Sequence, residues 1–121
     1  MSLFRKKKPA PDTDTSSEEQ AFITHLQLSD DEHGTEQERS AVHELQGRIE
    51  SAVTKVGGEH DGDEFGGGEA VLYTYGPDAN RLEEAIRGCL DDFPMREGAY
   101  GIKRYGSADD ENAREERVDL S

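Results

Sequence analysis

The sequence predicts an α+β domain with two amphipathic helices laid over one face of an antiparallel sheet. Three observations predict it. Apolar residues make up only 31% of the chain, yet they gather in segments 21–28, 42–56, 70–75, 82–93 and 99–105. Two of those segments carry helical spacing and three carry strand alternation. Cap and turn residues separate them, and with a short charged strand between the first helix and segment 70–75 the elements read β-α-β-β-α-β in chain order.

Ala21 to Leu28 is the first strand, with Phe22, Thr24, Leu26 and Leu28 on one side and Ile23, His25 and Gln27 on the other. A polar connection from Ser29 to Gly34 follows. Thr35 and Glu38 have the spacing of a capping box. After them Val42, Leu45, Ile49, Ala52, Val53 and Val56 fall on one helical stripe, and Gly57-Gly58 stops the helix. Glu59 to Phe65 is a short, charged edge strand, where charge discourages unwanted pairing. Gly66-Gly67-Gly68 turns the chain into a strong strand, Glu69 to Tyr75. Asp78 caps a second helix with the stripe Leu82, Ala85, Ile86, Cys89, Leu90 and Phe93, and Pro94 ends it. Gly98 to Tyr105 is the next strand, and the weak alternation of Arg114 to Leu120 predicts an additional edge strand.

Two β-α-β halves joined by right-handed crossovers give a ferredoxin-like βαββαβ sandwich, strand order 4-1-3-2. The acidic α+β domain spans residues 21–121. Residues 1–20 hold almost nothing that packs and read as a disordered tail behind a basic head, Arg5-Lys6-Lys7-Lys8.

Charge narrows the function classes. The net charge is −14; with four of the 14 basic residues in the head, the remainder sets 10 against 28 acidic groups, or −18. Such a body repels phosphate backbones, so no nucleic-acid partner is expected. No run reaches the length of a membrane span, and no apolar stretch follows the basic head as a secretory signal requires. A cytoplasmic location is the expectation. Cys89 is the only cysteine, which excludes an internal disulfide and a cysteine-rich zinc site; its place on a helical stripe reads as a buried small hydrophobe.

No catalytic residues are expected. There is no G-x-S-x-G elbow, and the three glycines at 66–68 lack the lysine and following helix of a phosphate loop. The histidines, His25, His33, His43 and His60, show no paired ligand spacing, so neither metal nor cofactor is expected. Asp61, Asp63 and Gly66 match three positions of a calcium loop, but Phe65 and Leu72 stand where further ligands are needed.

Four segments, Gly66 to Glu69, Tyr75 to Ala79, Lys103 to Gly106 and Arg114 to Leu120, resemble segments of a family of small, uncharacterised bacterial proteins. The resemblance covers roughly residues 59–120 and rests on turn-and-strand features. It implies a fold of the kind described above and carries over no activity and no functional residue.

The uncovered side of the sheet is the candidate site. With Leu72 and Ile102 turned toward the helices, Tyr73, Tyr75, Tyr105 and Lys103 turn away and are joined by Ile23 and His25. Tyrosine suits protein interfaces, because its ring buries area while its hydroxyl stays paired. The expected function is that of a non-enzymatic interaction protein. It either self-associates as a dimer through this face or acts as an inhibitor or immunity-type protein that neutralises a basic partner. The alternative is a small-molecule or metal-binding regulatory domain, with His25 or His60 beside carboxylates. The C-terminal segment folding over the face would remove it as a site.

Overall fold

The computed structural model describes residues 19–106 and 112–121. The predicted tail, residues 1–20, lies almost wholly outside them. The elements follow as β1 (Gln20–Gln27), α1 (Glu36–Thr54), β2 (Glu59–Gly66), β3 (Glu69–Gly76), α2 (Ala79–Leu90), β4 (Tyr100–Arg104) and β5 (Glu115–Asp119). The strands form one five-stranded sheet in the order β2-β3-β1-β4-β5. All of its pairings are antiparallel.

Local chemistry explains where the helices begin. Thr35 Oγ1 accepts from the Glu38 amide at 3.0 Å, and Glu38 Oε1 accepts from the Thr35 amide at 3.0 Å, so the capping box closes in both directions. Asp78 caps α2 by accepting from the Asn80 and Arg81 amides. Helix α2 ends at Leu90, four residues before Pro94, so Phe93 reaches the core from the connection rather than from the helix. The β2–β3 hairpin turns on Gly67 and Gly68, with φ of +62° and +82°. This left-handed pair is the geometry that a two-residue hairpin turn needs and that side chains with a Cβ resist.

Both helices pack on one face of the sheet. Val42, Leu45, Ile49 and Val53 of α1 and Leu82, Ile86 and Leu90 of α2 meet Phe22 and Leu26 of β1 and Ala70 and Leu72 of β3. Phe22, Leu45, Ile49 and Leu72 are wholly buried; each contributes on the order of 1.5–3 kcal/mol by leaving water. Cys89 is partly buried against the same cluster, and burial pushes its thiol pKa up. The opposite face carries a second, smaller cluster: Ala21, Ile23, Tyr73 and Tyr75, with Val71 and Ile102 against it.

Strand β4 departs from expectation by one residue of phase. Ile102 lies on the open face beside Ile23, while Gly101 and Lys103 lie on the helix side, paired with Thr24 and Phe22. The strand period is two, so this exchange turns every side chain of β4 over. The physical cause is the Phe22 ring, which covers Gly101 so closely that a Cβ there would overlap it. The glycine is the inward residue because its neighbour's ring already fills the space. The C-terminal segment adds to the sheet edge as β5 and does not fold over the open face.

Candidate functional site

The open face is built from alternate residues of all five strands. Strand pairing arranges them in rows. The first row runs Glu59, Tyr75, Ala21, Arg104, Glu115; the second Gly62, Tyr73, Ile23, Ile102, Arg117; the third Glu64, Val71, His25, Tyr100, Asp119. The centre is therefore aliphatic and aromatic, and each of the two edge strands carries two carboxylates. Ile23, Val71, Tyr73 and Ile102, with His25, Glu64 and Glu115, line a depression of about 300 Å³.

Ile23 and Tyr73 form the deep floor, 5% and 4% exposed. Val71 and Ile102 are half-buried and supply the apolar surface that solvent reaches. The Tyr73 hydroxyl donates to Glu64 Oε1 at 2.9 Å, which ties the β2 carboxylate to the floor. On the other side Arg104 Nη1 donates to Glu115 Oε2 at 2.6 Å. Arg104 is 7% exposed and Glu115 is exposed, so the pair presents its acidic member to solvent.

At the third row three planar groups stand side by side. The His25 and Tyr100 rings stack at 4.4 Å, 7° from parallel, and the Arg117 guanidinium lies 3.7 Å from the Tyr100 ring centre. His25 Nδ1 lies 3.1 Å from Glu69 Oε1, and Gln27 Nε2 donates to Glu69 Oε2 at 3.0 Å. Burial pushes the Glu69 carboxyl up, but the hydrogen bonds from Gln27 and His25 and the nearby Arg117 outweigh it and hold the group below its ordinary value. The carboxylate thus fixes the His25 ring, and the ring fixes Tyr100.

The structure brings together four of the six residues expected here. Tyr73, Tyr75, Ile23 and His25 lie on the open face, though Tyr75, like Tyr73, is only 4% exposed and serves as floor. Lys103 and Tyr105 correct the expectation. Lys103 lies on the helix side, where its Nζ reaches Glu83 Oε1 at 2.9 Å and Asn80 Oδ1 at 3.0 Å. The Tyr105 hydroxyl donates to the same Asn80 oxygen at 3.0 Å. The Glu83 hydrogen bond raises the Lys103 pKa. Burial acts to raise Glu83, and Lys103 and Arg87 overcome it to lower that carboxyl. This is a structural tie between β4 and α2.

Ile102, Val71, Tyr100 and Arg117 also line the candidate site and lie outside the expected set. The aromatic signal favoured tyrosines over aliphatics, and the β4 phase hid Tyr100 and Ile102. Val71 was legible, since it alternates with Leu72 in the strongest strand of the chain.

Other places in the molecule offer less. Among the described residues, no group of three or more His, Cys, Asp or Glu side chains is placed to hold a metal ion. His60 points to α1, where its Nε2 pairs with Gln46 Oε1, while Gln46 Nε2 donates to Asp63 Oδ2 at 2.6 Å. The segment that echoed a calcium loop is therefore strand β2, with Asp63 engaged by a helix. A groove of about 630 Å³ runs past Leu90, Phe93, Met95 and Leu120. Its charged members, Arg87, Asp91 and Glu97, are solvent-exposed, as on ordinary surface. No helix among the described residues is long and apolar enough to cross a membrane. In comparisons with known proteins, no family model matches the chain, and no curated protein or solved structure is significantly similar to it.

Proposed function

We propose that this is a non-enzymatic interaction protein whose open sheet face captures a basic protein partner, as an inhibitor or immunity-type protein does. The observation that carries the reading is the acid-edged apolar trough. Ile23, Val71, Tyr73 and Ile102 form the floor, and Glu59 and Glu64 on one edge face Glu115 and Asp119 on the other. Apolar area supplies affinity, while carboxylates at the rim steer a cationic partner and fix its register. Among the described residues, no serine, threonine or cysteine lines the depression to serve as a nucleophile for His25 to activate. The chain order and the sequence β2-β3-β1-β4 within the sheet support a ferredoxin-like reading with β5 appended at the edge.

The row map favours a basic partner over a second copy. Face-to-face pairing about an axis along the strands would set Glu59 over Glu115 and Glu64 over Asp119. Pairing about an axis across the strands would set Glu59 over Glu64 and Glu115 over Asp119. Either dimer places like charges on one another, and the net charge of −14 adds to the repulsion.

The test uses a fluorescent peptide of alternating arginine and leucine. It should bind the protein at low salt and lose most of its affinity near 1 M NaCl, where the screening length falls to about 3 Å. The double variant Val71→Thr, Ile102→Thr keeps the charge and the β-branched shape while removing apolar surface. It should weaken binding at least fivefold with the fold intact by circular dichroism. Equal affinity in the variant would show that the peptide ignores the trough and would sink the reading.

A further inference from the structure

The trough has a candidate occupant within the chain itself. We infer that the basic head, Leu3-Phe4-Arg5-Lys6-Lys7-Lys8, seats on the open face of its own chain and competes with the partner; this rests on the reading of that face as a site for basic proteins. The argument starts from composition. The head holds four of the chain's 14 basic residues next to two large apolar ones. The trough offers the matching surface, with aliphatic and aromatic groups at its centre and Glu64 and Glu115 at its sides.

Geometry permits the contact. Eleven residues, 9–19, separate Lys8 from Gln20, where β1 begins. An extended chain of that length spans up to about 36 Å. β1 is the central strand, and it enters the sheet at the row that holds Glu59 and Glu115. Ile23 lies three residues beyond Gln20, about 10 Å along the strand, and His25 about 17 Å. The head therefore reaches the whole trough without strain. A tether of this length holds it there at an effective concentration on the order of millimolar. An attraction too weak to register between separate molecules is enough to occupy the face in cis.

Charge also separates the open face from the helix side of β4. The helix side of β4 already holds its own cation, Lys103, against Glu83 and Glu116. The open-face carboxylates Glu64 and Glu115 accept from Tyr73 and Arg104, and both glutamates are solvent-exposed. A carboxylate accepts more than one donor, so the head adds to those bonds and need not displace them.

The experiment compares the chain with a variant of the same length carrying Arg5→Gln, Lys6→Gln, Lys7→Gln and Lys8→Gln. Methyl NMR reads Ile23, Val71 and Ile102, and the arginine–leucine peptide reads affinity. Loss of the head charge should shift those methyl signals and raise peptide affinity about tenfold, as expected when a tethered competitor is removed. The shifts should not depend on protein concentration. Superimposable methyl spectra with unchanged peptide affinity would overturn the inference and leave the function reading standing, provided Val71→Thr, Ile102→Thr still weakens the peptide. Shifts that appear only at high protein concentration would overturn it too, since they report contact between copies. Methyl shifts with no peptide binding in either chain would keep the head contact and remove the proposed partner site.

Discussion

At the scale of single residues, the decisive one is Gly101. The Phe22 ring of the neighbouring strand lies over it on the helix side, where any Cβ would collide. Gly101→Ala forces the ring or the strand to move, and overpacking of this kind costs about 1–3 kcal/mol. A fall in Tm of roughly 4–8 °C per kcal/mol is expected for a domain of this size, read by calorimetry. An unchanged Tm would mean that Phe22 has room to swing aside. This residue also shapes the open face, because the orientation it imposes on β4 delivers Ile102 and Tyr100 to that face and Lys103 to the helices. Composition hides the effect. Glycine reads as a break and isoleucine as core, and only the neighbour's ring reverses the assignment.

At the scale of elements, the contact between α1 and β2 carries a pH response. His60 is half-buried on the helix side of the edge strand, paired through Nε2 with Gln46, and its Nδ1 finds no hydrogen-bond partner among the described residues. Burial lowers its pKa from 6.5, against the pull of Glu50 and Asp63. A base with a depressed folded pKa contributes its full stability above the unfolded value. That contribution declines as pH falls from 6.5 toward the folded pKa, because the unfolded chain takes up the proton first. The Tm should therefore drop between pH 7.5 and 5.5, and His60→Gln should flatten that part of the profile. A wild-type profile that is level across this window would contradict the burial of the ring. The same elements show what sequence conveys well. The capping box at Thr35 and Glu38, the stripe of α1 and the weak charged strand β2 were each readable from spacing, because caps and periodicity are local.

At the scale of the whole molecule, charge should act on stability and on the proposed capture of a basic partner with opposite signs. A net charge of −14 on 121 residues repels itself in the folded state more than in the expanded one. Raising NaCl from about 20 mM to 1 M shortens the screening length to about 3 Å and should raise the Tm by several degrees. The same salt should weaken binding of a basic peptide to the trough. A Tm that falls with salt would show that favourable pairs such as Lys103–Glu83 and Arg104–Glu115 outweigh the bulk repulsion.

The sequence by itself determined the α+β class, both helices and their caps, the strands with their edge charge, and the acidity of the chain. These follow from interactions between near neighbours in the chain or from simple counts. The tertiary structure alone decided which side of β4 faces which layer, and hence that Ile102 and Tyr100 line the candidate site while Lys103 and Tyr105 brace a helix. It also decided that the carboxylates of β2 and β5 stand at opposite rims of one trough. Those facts depend on contacts between strands far apart in sequence, where a ring on β1 chooses the phase of β4. No periodicity within a single strand records that choice.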